Sequence, residues 1–156
     1  STLASLSVTF SEAVTGVDAA DLLVGGSAAA TVMAVSTDTR AIPRGALFVA
    51  LCGEKYDAHD FLPQAVNGGA GALMVSRRSG YPQEVAIIRV EDTLTGLQRL
   101  ARNYRRDWGG IVVGLTGSNG KTSTKEMLRA ILGGQGQVHA AEASYNNHWG
   151  VPLTLA

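Results

Sequence analysis

The amino-acid sequence predicts an α/β fold, and three features of its patterning predict it. Short apolar runs of strand length recur along the first part of the chain. A longer segment near the middle has the three- and four-residue apolar spacing of an amphipathic helix. A glycine-rich stretch then joins an apolar run to a second helical pattern. With 156 residues, 46% of them hydrophobic, the chain can bury one core or form two small domains.

Four apolar runs are predicted to be strands. They are residues 31–35, 46–51, 72–75 and 85–90. Between the second and third runs, a proline followed five residues later by two glycines predicts a short helix. A stretch rich in turn-forming residues ends at residue 82, so we expect a first domain over residues 1–82.

A longer helix is predicted next, with Asp92 as its N-cap. Its apolar positions share one face, which is typical of a helix that packs on a core: Leu94, Leu97, Ala101, Tyr104 and Trp108. A pair of glycines ends this helix. Further strands are predicted over residues 111–113 and 137–140, so we expect a second domain over residues 83–156.

The glycine-rich stretch has the composition of a phosphate-binding loop. Glycines let consecutive backbone N–H groups face an anion, and the following helix adds the positive end of its dipole. Lys121 can reach the terminal phosphates of a nucleotide, and the hydroxyl of Thr122 can bind Mg²⁺. The predicted nucleotide-binding residues are Thr116, Gly117, Ser118, Asn119, Gly120, Lys121, Thr122 and Ser123.

The spacing of this loop departs from the usual phosphate-loop pattern. That pattern has a glycine five residues before the glycine of Gly-Lys-Thr, where this chain has Leu115. The alternative is a glycine-rich turn between a strand and a helix, with a lysine on the surface. The loop alone also does not distinguish an ATPase, a GTPase, a kinase and a ligase.

Composition excludes some classes of partner. The 13 basic and 13 acidic residues give a formal net charge of +0, so no overall field favours nucleic acid or an acidic membrane. No apolar run approaches the ~18 residues that span a bilayer, and no signal peptide is visible. We therefore expect a cytoplasmic protein without membrane insertion. The one cysteine, Cys52, excludes an internal disulfide and is predicted to be a buried strand thiol.

Two further motifs narrow the function. The first combines Ser-Thr-Asp-Thr-Arg at residues 36–40 with residues 45–54 and with Asp-Ala-His-Asp-Phe at residues 57–61. The second is Tyr-Asn-Asn-His-Trp-Gly-Val-Pro-Leu-Thr-Leu at residues 145–155. Together with the glycine loop, they make the chain closely resemble the Mur ligases of peptidoglycan synthesis, over residues 32–155. The Asn-Asn-x-x-Gly-Val-Pro form is most similar to the members that add D-alanyl-D-alanine.

That resemblance implies a reaction and its partners. ATP and Mg²⁺ would be used to phosphorylate the terminal carboxylate of UDP-N-acetylmuramoyl-tripeptide, and the amine of D-alanyl-D-alanine would then attack the acyl phosphate. The implied fold is a small UDP-substrate domain followed by the beginning of a P-loop-type ATP-binding α/β domain. We expect a monomer, and we expect these 156 residues by themselves to be inactive.

The resemblance also implies roles for particular residues. Lys121 would act at the β- and γ-phosphates, and Thr122 would bind Mg²⁺. The implied substrate-binding residues are Thr39, Arg40, Gly53, His59, Asn146 and Asn147. For the two asparagines, the alternative is that they order their loop against the phosphate site. For Arg40, the alternative is a local brace of the turn through Asp38.

The acids around His59 could be mistaken for a metal cluster. A loop-and-cap role is the favoured interpretation, with Asp60 capping the next helix and His59 facing the substrate.

Other functions stay open at this point. Within the same class, the chain could be another Mur relative or a folylpolyglutamate-synthase-like ligase, although the Asp-Thr-Arg and Asp-Ala-His-Asp-Phe motifs argue against the folate enzyme. A P-loop switch or kinase would bind nucleotide without responding to a UDP-muramoyl peptide. A binding module without turnover is the third possibility.

Overall fold

The fold is described from a computed structural model, for residues 9–10, 23–25, 31–32, 34–53, 55–77, 80, 82, 84–141 and 147–155. The strands are β1 (Thr9–Phe10), β2 (Leu23–Gly25), β3 (Thr31–Val32), β4 (Val35–Ser36), β5 (Leu47–Val49), β6 (Ala72–Val75) and β7 (Ala86–Arg89). A 3-10 helix (Ala58–Phe61) leads directly into α1 (Leu62–Asn67). The remaining helices are α2 (Thr93–Trp108), α3 (Lys121–Gly133) and α4 (Gly150–Leu155).

Five of the strands form one sheet in the order β2-β7-β6-β5-β4. Strands β4, β5, β6 and β7 are parallel, and β2 pairs antiparallel with β7 at the edge. Strands β1 and β3 form a separate parallel pair. The α/β class predicted from the sequence is therefore confirmed.

The central strands are apolar without interruption because both faces of the sheet are covered. Alternate residues point to opposite faces, so Leu47 and Val49 join one core, whereas Phe48 joins the other. The first core includes Leu97 and Leu100 of α2, and the second includes Leu62 and Ala65 of α1. The result is a sheet between two helical layers.

Helix α2 is fixed at its start by two hydrogen bonds. The carboxylate of Asp92 accepts from the Thr95 backbone N–H at 2.7 Å, as the predicted N-cap should. The buried hydroxyl of Thr93 donates to the carbonyl of Ala50 at 2.8 Å, just after β5. Leu97 and Ala101 are buried, as predicted, and Leu94 packs against the same core.

Two predicted strands are wrong. Residues 111–113 and 137–140 have extended or irregular backbone and belong to neither of the two sheets formed by the described residues. Apolar character alone does not make a strand, because the backbone must also find a hydrogen-bonding neighbour. Consistent with this, the side chains of Ile111 and Val113 are exposed.

Elements on both sides of the predicted division at residue 82 belong to the same sheet and its core. Strand β7 pairs with β6, and α2 packs on the same sheet, although both follow that position. The division itself stays a prediction.

In the part of the chain that the structure describes, no helix is both long enough and apolar enough to cross a lipid bilayer.

Candidate functional site

The four parallel strands end at one edge of the sheet, and the predicted substrate residues follow them there. Residues 37–40 follow β4, residues 50–53 follow β5, and residues 76–77 follow β6. In α/β sheets, ligands bind outside the carboxyl ends of the parallel strands. This edge, which we call the carboxyl edge, is the candidate substrate site.

The turn after β4 is braced by an ion pair between Asp38 and Arg40. Asp38 accepts from the backbone N–H of Arg40 at 2.9 Å and from its guanidinium at 2.6 to 3.1 Å. These hydrogen bonds lower the pKa of Asp38 to about 2. The brace is the alternative that the sequence left open. The Arg40 side chain as a whole is nevertheless 87% exposed at the carboxyl edge, next to Thr39.

The loop after β5 is closed on itself. The N–H of Gly53 donates to the carbonyl of Tyr56 at 2.8 Å, and Cys52 forms a single β-bridge with Asp57. A methyl group on Gly53 would stand 3.3 Å from the Tyr56 carbonyl oxygen, so the closed loop leaves little room for a side chain there. Tyr56, which lies in this loop, is largely exposed.

Asp57 caps the 3-10 helix that follows this loop. Its carboxylate accepts from the backbone N–H of His59 at 2.9 Å and pairs with Arg77 at 2.7 Å. Helix α1 has no side-chain cap among the described residues, and Asp60 lies inside the 3-10 helix, where it pairs with Arg77 at 2.9 Å. The prediction that Asp60 is the cap is therefore wrong. Asp57 takes that role because the helical segment begins at Ala58, which places the N-cap position at Asp57.

His59 is buried, with both ring nitrogens in hydrogen bonds. The backbone N–H of Ser76 donates to Nε2 at 2.9 Å. Nε2 must therefore lack a proton, so Nδ1 carries it and donates to Asp57 Oδ1 at 2.6 Å. His59 thus joins the loop to the end of β6, and its role in substrate binding stays a prediction.

The environment of Asp57 acts on its ionisation in two directions. Partial burial disfavours the charged carboxylate, but the hydrogen bonds from His59 and Arg77 outweigh this and hold the pKa of Asp57 well below its usual range.

Cys52 lies next to this network and is exposed, which contradicts the prediction of a buried strand thiol. It follows β5 rather than lying within it. Its Sγ stands 3.5 Å from Asp57 Oδ1 and 3.6 Å from His59 Nδ1. Partial desolvation of the sulfur and the nearby carboxylate raise the pKa of the Cys52 thiol, so it is a weak nucleophile.

Three potential metal ligands meet here, since ligand atoms of Cys52, Asp57 and His59 lie within 4.8 Å of one another. Nδ1 of His59, the ring nitrogen among these atoms, carries a proton. To bind a metal it would have to lose that proton, and moving the proton to Nε2 would bring it against the N–H of Ser76. A metal would also compete with Arg77 for the carboxylate. The hydrogen-bond pattern therefore favours the loop-and-cap interpretation made from the sequence.

The Asn-Asn motif lies at the start of α4. Asn147 Oδ1 accepts from the backbone N–H groups of Trp149 at 3.1 Å and Gly150 at 2.8 Å, so its side chain orders this turn. Helix α4 packs against α2, and Gln98 of α2 donates to the carbonyl of His148 at 3.4 Å. Asn146 lies outside the described residues.

The predicted phosphate-binding loop is exposed and ends at Gly120, directly before α3. Gly117 and Gly120 have φ values of +138° and +77°, where residues with a Cβ are strained. The first helical hydrogen bond runs from the N–H of Thr124 to the carbonyl of Gly120 at 2.9 Å. Among the described residues, no side chain caps the amides that precede it. A 13-residue helix thus presents its first N–H groups, and the positive end of its dipole, to solvent.

The side chain of Lys121 folds back over this loop, where its Nζ donates to the carbonyl of Gly117. The ammonium group therefore lies on the same side as the glycines. Thr122 and Ser123, which begin the helix, are exposed.

Sequence reasoning missed three residues of the carboxyl edge. Ser76 and Arg77 follow β6 and contact the His59–Asp57 network, and Trp149 lies against the loop after β5. The polar residues directly after a predicted buried strand were a usable signal for the first two. The contact of Trp149 joins positions almost 100 residues apart, which periodicity does not report.

The chain belongs to the Mur ligase family. Residues 31–105 match the description "Mur ligase family, catalytic domain", and residues 115–156 match "Mur ligase middle domain".

Named relatives narrow the similarity within the family. The chain is 48% identical over 122 residues to the UDP-N-acetylmuramoyl-tripeptide--D-alanyl-D-alanine ligase of Bacillus subtilis, covering 78% of this chain and 27% of that protein. The solved UDP-N-acetylmuramoylalanyl-D-glutamyl-2,6-diaminopimelate--D-alanyl-D-alanyl ligase of Acinetobacter baumannii superimposes with a TM-score of 0.70 at 38% identity, over 80% of this chain and 28% of that one. The MurF ligase of Thermotoga maritima, solved in complex with ADP, superimposes with a TM-score of 0.64 at 34% identity, over 78% of this chain and 28% of that one. The chain thus spans little more than a quarter of the relatives that it matches.

Proposed function

We propose that this chain contributes the UDP-substrate module and the phosphate-binding loop of an ATP-dependent ligase that joins D-alanyl-D-alanine to UDP-N-acetylmuramoyl-tripeptide. The observation that carries the proposal is the 48% identity to a ligase of that name, because it extends over 122 residues that include both parts. We also propose the finer fold, a small UDP-substrate domain followed by the start of an ATP-binding domain.

The residues of the loop fit a nucleotide polyphosphate and Mg²⁺. Two glycines hold backbone conformations with positive φ, and among the described residues no atom lies within 4 Å of the position that a Cβ on Gly120 would occupy. An anion could therefore approach the backbone closely. Lys121 would exchange the Gly117 carbonyl for phosphate oxygens, and the hydroxyl of Thr122 would be a ligand of the metal.

The remaining loop residues have supporting roles in this proposal. The backbone N–H groups from Gly117 to Gly120 would receive the phosphate oxygens, since amides near a helix N-terminus favour anions. Thr116 and Ser123 flank them. The bound metal would neutralise negative charge on the phosphates.

The chemistry requires activation of a carboxylate, which is a poor electrophile at neutral pH. Phosphorylation of the substrate carboxyl releases ADP and gives an acyl phosphate. Attack by the amine of the dipeptide then forms the amide, with loss of phosphate and a proton. The protein's part in such a transfer is positioning and electrostatic stabilisation. Here Lys121 would hold positive charge at the phosphate being transferred.

The carboxyl edge is the proposed site for the UDP end of the substrate. The Arg40 side chain is exposed there, and a guanidinium suits a diphosphate, which would accept hydrogen bonds from it in exchange for Asp38. Thr39 and Gly53 lie on neighbouring turns of the same edge. The cap formed by Asn147 keeps a second motif close to it.

Calorimetric titration of the 156-residue chain tests the proposal. We expect UDP-N-acetylmuramoyl-tripeptide and MgATP to bind independently of each other. Lys121→Met should weaken MgATP by at least about tenfold, because a charge-assisted contact to phosphate is lost, and leave the UDP compound unaffected. The matched control is Arg129→Met, which removes an exposed cation from the same helix.

The same titration addresses the other class of function. Binding of MgATP without the UDP compound would favour a nucleotide switch or kinase and would overturn the ligase proposal. If Lys121→Met and Arg129→Met weakened MgATP equally, the role given to Lys121 would be wrong.

A further inference from the structure

The indole of Trp149 lies against Gly53 at the carboxyl edge. Its Cη2 atom is 4.0 Å from the position that a Cβ on Gly53 would occupy. The ring therefore lies within van der Waals distance of the space beside Gly53, in the loop after β5. One residue follows the phosphate-binding loop and its helix, and the other follows a central strand of the sheet, so this contact joins the two parts of the chain.

Several contacts fix the position of Trp149. Its backbone N–H donates to Asn147 Oδ1 at 3.1 Å, and the preceding residue accepts a hydrogen bond from Gln98 on α2. The ring of His148 meets the indole edge-on, with centroids 5.4 Å apart and planes at 78°. A ring held in this way loses little further conformational entropy when a ligand contacts it.

Despite these contacts, Trp149 is 39% exposed. The edge on which it lies is where ligands of parallel α/β sheets bind. An exposed, preorganised aromatic face beside a glycine can stack on a flat, weakly polar ring. Arg40 lies on the turn after β4 at the same carboxyl edge, and its positive charge is suited to the charged portion of such a ligand.

We propose that Trp149 and Gly53 form one wall of the UDP-substrate site, with the indole in contact with a ring of the nucleoside diphosphate sugar. This inference rests on the proposed function and adds to it a binding residue from the segment after the phosphate-binding loop. Residues from both parts of the chain would therefore line the substrate site.

The fluorescence of Trp149 provides a direct test. Trp108, the other tryptophan, is first replaced by phenylalanine to give a chain with a single indole. UDP and UDP-N-acetylmuramoyl-tripeptide are then titrated separately. A change with UDP alone assigns the contact to uracil, and a change only with the full compound assigns it to the sugar or peptide; either result supports the wall.

Affinity gives a second readout by calorimetry. Loss of a stacking partner typically weakens a ring ligand about tenfold, so Trp149→Ala should raise the Kd of the UDP compound by about that factor. Trp149→Phe keeps an aromatic face and should stay within about threefold. The Kd of MgATP should not change in either variant, which also verifies that the chain remains folded.

Gly53→Ala tests the other half of the wall. Its methyl would stand 3.3 Å from the Tyr56 carbonyl oxygen, so the loop that carries this side of the wall must shift, and we expect a similar loss of affinity. Gly136→Ala is the matched control, because among the described residues no atom lies within 4 Å of its Cβ position.

The outcomes separate this inference from the function on which it rests. Normal binding of the UDP compound with unchanged indole fluorescence, and with Trp149→Ala within twofold of the parent, would overturn the wall alone. Absence of any binding by the parent chain would overturn both.

Discussion

Removal of the Asp57 carboxylate should destabilise the protein more than any other single loss of charge in its loop. In Asp57→Ala, the buried imidazole of His59 keeps a proton on Nδ1 but loses its acceptor. The 3-10 helix loses its cap, and Arg77 loses one of two carboxylate partners.

The magnitude follows from the exposure of each partner. An unsatisfied buried donor costs about 2 kcal/mol, and a lost cap costs about 1 kcal/mol. The Arg77 pair is 47% exposed on the arginine side, so it contributes at most about 0.5 kcal/mol. We expect Asp57→Ala to lower the free energy of unfolding by about 3 kcal/mol, which corresponds to a fall in Tm of about 9 °C for a chain of this size.

Urea unfolding followed by circular dichroism measures this change. Asp57→Asn retains an oxygen acceptor for His59 and should cost only about 1 kcal/mol. Asp60→Ala is the matched control, because Asp60 pairs with the same arginine but is 62% exposed; it should cost less than about 0.5 kcal/mol.

Two results would refute this reasoning. The first is a cost below about 1 kcal/mol for Asp57→Ala, which would mean that His59 does not depend on the carboxylate. The second is an equal cost for Asp60→Ala, which would assign the effect to Arg77.

Two further predictions concern stability. The pKa of Asp57 is lower in the folded than in the unfolded chain, so its stabilising effect is present above about pH 4 and is lost as the pH falls through the folded pKa. The urea midpoint should therefore drop more steeply between pH 5 and pH 3 in the parent chain than in Asp57→Asn. Equal slopes in the two chains would contradict this prediction. Leu97→Ala removes a fully buried side chain between α2 and the sheet and should lower the free energy of unfolding by about 3 kcal/mol in the same assay. Gln98→Ala, at the neighbouring exposed position, should lower it by less than about 0.5 kcal/mol. Similar losses in the two variants would show that α2 does not pack as described.

The sequence predicted the elements whose signals are local. Three central strands, β5, β6 and β7, were found because their uninterrupted apolar runs reflect burial on both faces of a parallel sheet. The strand predicted at residues 31–35 is instead divided between β3 and the first residue of β4, which lies at an edge of the sheet. Helix α2 was found because the cap at Asp92 and the apolar stripe through Leu97 agree. The start of α3 at Lys121 follows from the two positive-φ glycines that precede it, a requirement visible in the residues themselves.

Features that depend on neighbours distant in sequence were missed or misassigned. Residues 111–113 have strand composition, but among the described strands none pairs with them. The resemblance implied a substrate role for His59, but it gave no sign that the distant Ser76 N–H would hold the imidazole inside the fold.

The sequence by itself determined the α/β class and the family, and it predicted the phosphate-binding loop, because each signal lies in short runs of adjacent residues. Only the tertiary structure decided which acid caps the loop, which nitrogen of His59 carries the proton, and that Trp149 reaches Gly53. The physical reason is that burial and hydrogen-bond partnership are properties of pairs of residues, and the fold chooses partners that are far apart along the chain.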